Sequence, residues 1–369
     1  MKTILVVGVR GIPDVEGGIE KNAERLFPLI ASRGWKVCIA GVKPFIKAPE
    51  YSGVSLWRVP SLAFLRTGRF FYAVATFMKA LRMRPDIVHF SGLESAVLLW
   101  AYKLIGCKTV IRYGADCYTR SWKGIGKWVM RWGKYQLRWA DSIIAVTPAL
   151  RKKLRASGIK NHIHVIGNAL DRKENFPGDL NAPISGDYIL LVGQKPQQKN
   201  IHRLVSAFRV FAKSHPHIKL VIVGKYDKNT GRKQSSTFAD DRIEMLGSLP
   251  RSALAPLYSD ARFFVNPSIR EGYSNTLLEA ISFDCPILLS DLPENRDLRL
   301  NAKHYFNPDN VRSMVSALNR AHANPDMFRV SPRRFPQWDE IADQTHQVYK
   351  TLVAVDAAHL ASQGKLLRS

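Results

Sequence analysis

Residues 263–289 read Phe263-Phe-Val-Asn-Pro-Ser-Ile-Arg-Glu271-Gly-Tyr-Ser-Asn-Thr-Leu-Leu-Glu279-Ala-Ile-Ser-Phe283-Asp-Cys-Pro-Ile-Leu-Leu289. A short apolar run, Phe263–Asn266, ends at Pro267-Ser268. A polar loop follows, then an apolar stretch at helical spacing near Thr276–Phe283, then a second short run at Pro286–Leu289. Strand, helix and strand in this order form a crossover unit, which places two parallel strands in one sheet with the helix over its face.

The same alternation extends upstream. Tyr188–Val192 and Lys219–Val223 read as strands flanking a helix at Ile201–Ser214. Before them lies a Pro/Gly/Asn-rich stretch, Asp171–Gly186, which marks a linker near residues 168–187. The pattern also runs before that linker. Ile4–Val9 reads as a buried strand and Ile19–Ser32 as a helix with Ile19, Ala23, Leu26, Phe27 and Ile30 on one face. Val37–Gly41, Ile87–Phe90, Thr109–Arg112 and Ser142–Val146 read as further strands. The expectation is two open α/β domains, residues 1–170 and 171–337. A last helix at about 338–355 would close the second domain or return to the first, and 356–369 would form a loose tail. Ligands of such sheets sit at the carboxyl ends of the strands.

The chain has 369 residues and a net charge of +25. Residues 1–177 hold 30 Lys and Arg against 11 Asp and Glu, so the first half carries most of the excess. It should attract an anionic partner: nucleic acid, an anionic membrane surface or a phosphorylated substrate. Cys38, Cys107, Cys117 and Cys285 lack metal-ligand spacing and fit a reducing compartment. The apolar start is too short for a signal peptide, and Ala96–Ile105, with Lys103 inside it, is too short to span a bilayer. A cytoplasmic chain without a transmembrane helix is expected.

Four constellations carry chemistry. In Glu271–Glu279 the first carboxylate sits in a loop at a strand end and the second in the first turns of a helix. Gly272 permits tight backbone geometry, and Ser274, Asn275 and Thr276 are capping types. N–H groups at that helix start suit a diphosphate, and Glu279 suits a vicinal diol such as a ribose. The same residues also fit a solvated Glu271 and a Glu279 that complements the helix dipole. The second constellation is Arg10–Glu20, where Gly17-Gly18 precedes a helix and lets a ligand approach the backbone, or simply makes a turn. The third is Gly193–Asn200 at another strand end, where Lys199 could hold a phosphate or stay solvated. The fourth is Tyr118–Trp139. Within it Trp128, Trp132, Tyr135 and Trp139 recur at spacings of three or four, beside the basic stripe Lys127, Arg131, Lys134 and Arg138. That pattern suits a helix lying on an anionic membrane, a nucleic-acid surface, or a buried aromatic stripe with a basic edge. Ala73–Met83, with Lys79, Arg82 and Arg84, adds to the membrane reading. Asp-x-Asp, P-loop and Gly-x-Ser-x-Gly patterns are missing from the sequence, which lowers NTPase and hydrolase readings.

Together these residues resemble the GT-B glycosyltransferases of family 4, or group 1, in particular members that build exopolysaccharide or lipopolysaccharide. Glu271–Glu279 resembles the family's E-x7-E motif, and Ala280–Pro286 its continuation, with Asp284 in place of glycine. Val165–Asp171 resembles the strand and turn that lead into the second domain. Leu191–Lys199 resembles the phosphate-binding segment, and Trp338 and Tyr349 match the helix that crosses back to the first domain. The resemblance implies two facing Rossmann-like domains, the first for acceptor and the second for donor, with an interdomain cleft. Lys199 would neutralise the leaving diphosphate, Glu279 would bind the ribose and Glu271 would contact the transferred sugar. The stretch Gly272, Tyr273, Ser274, Asn275 and Thr276 would bind sugar and phosphates. Gly17 and Gly18 would lie by the donor phosphates, and Gly247, Ser248 and Leu249 near the base. Gln194 stands where the family has arginine and Tyr113 where it often has histidine. Asp116 and Arg120 follow on the acceptor side.

The resemblance further implies retention of anomeric configuration with no metal and no cofactor besides the nucleotide-sugar donor. Asn275 favours a UDP-sugar, and the acceptor would be a saccharide, carried on a polyprenyl diphosphate at the inner membrane face. Two other classes remain at this stage: a GT-B sugar-nucleotide binder or epimerase that does not transfer, and a basic nucleic-acid-binding protein.

Overall fold

The computed structural model describes residues 1–60, 68–114, 125–171, 184, 186–194, 197–224 and 240–366. The chain divides into two compact units, Met1–Asn168 with Trp338–Ser369, and Ala169–Gln337.

The first unit is built on strands β1 (Thr3–Val7), β2 (Lys36–Val42), β3 (Glu50–Tyr51), β4 (Val54–Val59), β5 (Ile87–Ser91), β6 (Lys108–Tyr113), β7 (Ser142–Ala145) and β8 (His162–Val165). They order as β3-β4-β2-β1-β5-β6-β7-β8. Every pairing is parallel except β3 with β4. Helices α1 (Gly18–Ser32), α2 (Gly68–Met83), α3 (Leu99–Leu104), α4 (Ile125–Gln136) and α5 (Pro148–Ala156) connect them. The step from β1 to β2 runs one way along the sheet, whereas β4 to β5, β5 to β6 and β6 to β7 run the other way. Right-handed crossovers therefore put α1 on one face and α2, α3 and α4 on the opposite face.

The second unit has β9 (Tyr188–Val192), β10 (Lys219–Val223), β11 (Ile243–Gly247), β12 (Phe263–Asn266), β13 (Ile287–Ser290) and β14 (Tyr305–Phe306), ordered β11-β10-β9-β12-β13-β14 and parallel throughout. Its helices are α6 (Ile201–Phe211), α7 (Arg251–Asp260), α8 (Asn275–Ser282), α9 (Pro293–Arg296) and α10 (Val311–Ala323). Alternate residues of each strand feed two cores. Leu190, Val221 and Phe264 meet Tyr258 and Ile281 on one face, and Ile189, Leu220 and Phe263 meet Phe208 and Leu318 on the other. Strands buried on both faces explain the unbroken apolar runs in the sequence.

The final helix α11 (Trp338–Leu366) belongs to the first unit. Tyr349 Oη lies 2.7 Å from His89 Nδ1, and Trp35 Nε1 donates to His346 Nδ1 at 2.9 Å. It runs eleven residues past 355, where a tail was expected. Val355–Gln363 holds neither Pro nor Gly to stop it. At the other extreme, α6 ends at Phe211 rather than Ser214, because Ala212 starts a frayed turn.

Candidate functional site

In the second sheet β9 is flanked by β10 and β12, so the strand order reverses beside it and the crevice opens at the carboxyl ends of β9 and β12. Gly193 follows the first and Pro267 the second. Lys199 Nζ reaches 2.6 Å from Glu271 Oε1, with side chains only 12% and 9% exposed. The solvated readings of both residues are thereby overturned: each is withdrawn from water by the loop geometry. Asn200, in the left-handed conformation at φ 53°, starts α6 and donates its amide to Pro308 O at 2.7 Å. Gln198 Nε2 donates to Arg270 O at 3.1 Å, and Ile269 N to Gln198 O at 3.0 Å. These bonds stitch the two loops together and hold the ion pair. Gly193 supplies the room: a Cβ there would lie 2.6 Å from Lys199 Cε and 2.9 Å from its Cγ.

Two residues that motif reading misses complete the carboxylate's setting. Ser268 Oγ lies 2.8 Å from Glu271 Oε1 and 2.6 Å from Asn266 Oδ1, and its single proton serves one acceptor at a time. Asn266 Nδ2 lies 3.4 Å from the same Oε1. All three contacts fall on Oε1, so Oε2 makes no hydrogen bond among the described residues and is open to a hydroxyl donor. The only sequence signal was a pair of polar residues ending an apolar strand.

The helix that follows, α8, begins at Asn275 with Ser274 as its cap residue and no side-chain cap bond. Ser274 Oγ instead sits 3.1 Å from Thr276 Oγ1. The α8 start thus carries no side-chain cap from Ser274, and a helix N-terminus of this kind is a favourable place for an anion. Glu279, one turn on, is buried and accepts from Tyr258 Oη at 2.9 Å, with Tyr258 stacked on Phe283 at 5.9 Å between centroids. Burial and the Asp297 carboxylate push the Tyr273 phenol up to about 12, so it stays a neutral donor. Gly272 lies in the loop between Glu271 and Tyr273, and Gln194 is exposed after Gly193. Gly247 ends the edge strand β11 and Ser248-Leu249 follow it, two strands away from β9.

The first sheet reverses at β1, between β2 and β5. Its crevice holds the Arg10–Glu20 loop. Arg10 Nε donates to the buried Glu20 carboxylate at 2.8 Å, Val42 N donates to Arg10 O at 2.7 Å, and the guanidinium lies 5.3 Å from the Phe45 centroid. Gly17 has φ 139°, and a Cβ there would fall on the Glu20 carboxylate and 2.7 Å from the Arg10 guanidinium. Gly18 is the first residue of α1. Tyr113 ends β6 and is buried. Asp116 and Arg120 lie outside the described residues. Beside β6 is a polar interior: Arg112 Nη2 donates to Gly167 O at 2.7 Å and Asn168 Oδ1 at 2.9 Å. Burial lowers the guanidinium to about 10, and burial together with Arg112 lowers His89 to about 3, so His89 is neutral.

The basic-aromatic segment forms α4 and a following turn, Leu137–Trp139. The buried-stripe reading is overturned. Trp128 is 71% exposed, and Tyr135 and Trp139 are exposed too. The inner face is instead Gly133, whose Cβ position lies 3.2 Å from Leu93 O, with buried Gln136 and Leu137. The aromatic rings form a surface ladder, with centroids 6.5 Å apart for Trp128–Trp132, 5.8 Å for Trp132–Tyr135 and 6.5 Å for Tyr135–Trp139. Half-buried Trp132 anchors it by donating Nε1 to Val97 O at 3.1 Å. Arg131 and Arg138 are exposed and Lys134 half-buried; the Lys127 side chain lies outside the described residues.

Two family models together span residues 16–334 of the chain. Residues 171–334 match the one described as Glycosyl transferases group 1, and residues 16–174 the one described as Glycosyltransferase Family 4. The chain belongs to the group 1 glycosyltransferases. A relative is the O-antigen chain mannosyltransferase RfbU of Salmonella typhimurium, 30% identical over 142 residues. That match spans 38% of this chain and 40% of the relative's own length. Among solved structures, sucrose-phosphate synthase from Thermosynechococcus elongatus aligns over 96% of this chain and 100% of its own, with TM-score 0.80 at 19% identity. The Anabaena HepE structure with UDP and glucose aligns over 98% and 100%, with TM-score 0.66 at 14% identity. These likenesses show the GT-B fold of the group 1 glycosyltransferases.

Proposed function

We propose that the chain transfers a hexose-type sugar, with retention, from a UDP-sugar to a saccharide on a polyprenyl diphosphate in cell-surface polysaccharide synthesis, at the inner face of the membrane. The observation that carries this is the withdrawn Lys199–Glu271 pair at the reversal point of the second sheet, with one carboxylate oxygen uncommitted. Glu271 Oε2 would accept from the donor sugar's hydroxyls, while Lys199 and the α8 start would meet the charge growing on the leaving diphosphate. That stabilisation calls for no divalent metal. Glu279, held by Tyr258, would take the ribose diol. The departing phosphate oxygen would accept the proton of the incoming hydroxyl, and the glycosidic bond would form as the sugar–phosphate bond breaks. UDP is favoured by Asn275 at the start of α8 and by the UDP bound in the Anabaena relative. The saccharide acceptor is favoured by the O-antigen role of the Salmonella relative. The α4 ladder and its arginines would hold the enzyme to an anionic membrane.

The test is thermal stabilisation by UDP, GDP, dTDP, ADP and CMP, followed by transfer from UDP-sugars to a membrane-extracted acceptor. UDP should raise the melting temperature, and Glu279→Ala should abolish that rise. Glu271→Gln and Lys199→Ala should each lower kcat/KM by about a hundredfold or more. The product's anomeric configuration, read by NMR, should match the donor's, and a chelator should leave the rate unchanged. Wild-type rates in both variants, or an inverted product, would overturn the reading.

A further inference from the structure

Among the described residues fourteen large apolar side chains are exposed, and eight of them lie on α2, α3, α4 and the turn after it. On α2 they are Phe70, Val74, Met78 and Leu81, a stripe at helical spacing along the whole helix. The opposite side of α2 does the packing. Tyr72 Oη donates to Ala40 O at 2.6 Å and accepts from Gly8 N at 2.9 Å, and Thr76 and Ala80 are fully buried. The stripe is therefore surplus to the core. An amphipathic helix with its second apolar side turned to water has that side ready for another medium.

The three helices are neighbours on one face of the first sheet. Tyr102 Oη of α3 donates to Thr76 Oγ1 of α2 at 3.0 Å, with Tyr102 and Phe77 in edge contact at 5.3 Å. Trp100 N of α3 donates to Gln136 Oε1 of α4 at 3.1 Å. A groove lined by Trp100, Lys103, Leu104, Arg138 and Trp139 joins α3 to the end of α4, and Leu104 at its rim is 77% exposed. The charge on these helices is basic, with Lys103 of α3 paired to Asp141 at 2.6 Å. None of the three helices contains Asp or Glu, and residues 51–140 hold 15 Lys and Arg against 3 Asp and Glu. Arg82, Arg131 and Arg138 are exposed among the apolar groups.

We infer that α2, α3 and α4 form one lipid-facing plane, in which the α2 stripe enters the acyl region of an anionic bilayer while the α4 arginines and aromatic ladder sit at the headgroups. This deepens the membrane-surface part of the proposed function and rests on it. Basic side chains interleaved with exposed aromatics and aliphatics complement a surface that is anionic above and apolar beneath. A protein partner with an apolar groove would need its own dense negative rim to match. The division of labour follows from the chemistry. The α2 contact is apolar and insensitive to salt, whereas the α4 contact is charged and screened by it.

The test is flotation of the full-length protein with vesicles of phosphatidylcholine alone or mixed with phosphatidylglycerol, at low and high salt, with Trp fluorescence as the depth signal. Wild type should float with the mixed vesicles, and Trp emission should shift to the blue. Phe70→Ser/Met78→Ser should weaken partition by about tenfold or more at both salt levels, because each side chain loses its apolar transfer. Arg131→Gln/Arg138→Gln should weaken it only at low salt. Failure of wild type to float, or wild-type flotation by the α2 variant, would overturn the inference. So would a wild-type dimer that the α2 variant dissociates, which would assign the stripe to a second copy. UDP stabilisation of the same variants isolates this outcome from the donor-site reading: it should persist in both, and its absence from wild type would count against that reading alone.

Discussion

Replacing Lys199 by Met tests whether the pair at the second sheet's reversal point is a coupled electrostatic unit. The substitution keeps the stem that packs beneath the Gly193 backbone and removes only the charge. Glu271 then stays 9% exposed with its cation gone. Breaking a buried pair from one side costs about 3–5 kcal/mol, because the remaining charge is neither hydrated nor paired. Ser268 and Asn266 still donate to Oε1, which places this case at the lower end, about 3 kcal/mol. For a unit of this size that is a drop of about 6–12 °C in melting temperature. Glu271→Gln strands the ammonium instead and should cost a similar amount. The double variant, Lys199→Met/Glu271→Gln, removes both charges and should recover most of the loss, giving a coupling of at least about 2 kcal/mol. Calorimetry on the four proteins supplies the cycle, and transfer kinetics on the same samples separates the roles. Stability should return in the double variant and activity should not, because the leaving-group cation is still missing. Additive single effects would refute the coupling, and activity that returned with stability would refute the catalytic assignment.

Gly193→Ala should act through the lysine rather than through the fold. The backbone there tolerates a side chain, but the added Cβ pushes the Lys199 stem from its seat. A fall of about tenfold or more in kcat/KM is expected, with a loss in melting temperature no larger than that of Lys199→Met, and a wild-type rate would show that the seat is not needed. Acidification should weaken the first unit through His89. Its folded value is held near 3, below the ordinary value of 6.5, so the unfolded chain binds the extra proton first as pH falls. Stability is unaffected above about pH 6.5 and declines by about 1.4 kcal/mol per pH unit below it, down to about pH 3. His89→Gln, whose amide can pair with Tyr349 Oη in either direction, should flatten that slope in pH-dependent denaturant melts; an unchanged slope would assign it elsewhere.

The strands legible in the sequence are the central ones. β1 (Thr3–Val7, read from the sequence as Ile4–Val9), Tyr188–Val192, Lys219–Val223 and Phe263–Asn266 are buried on both faces over most of their length, so each shows as an apolar run. The strands that were not legible are edges: β3 and β8 of the first sheet, β11 and β14 of the second. Half-solvated His162-Ile-His-Val165 and Ile243-Glu-Met-Leu-Gly247 have no such run, and β3 and β14 span two residues each. Next to an edge, β4 alternates Val54, Leu56 and Val59 with Ser55 and Arg58, a pattern too brief to stand out. On α7, Pro256 interrupts the helical signal from inside.

Site residues divide along the same line between local and topological information. Glu271 and Glu279 announce themselves because eight positions, one loop and one helix turn hold them. The partnership of Lys199 with Glu271 spans 72 positions and exists only because β9 and β12 are neighbours, which no spacing rule contains. Ser268, Asn266 and Tyr258 are further from legibility still: their roles depend on which way a buried side chain points after the strands have packed. The exposed α2 stripe is the opposite case. Its apolar spacing looks like any core-facing helix in the sequence, and only the packing of Tyr72, Thr76 and Ala80 on the other side reveals that Phe70, Val74, Met78 and Leu81 have no core to enter. An apolar position in a sequence thus records that water is avoided, while the fold decides whether protein or another medium takes its place.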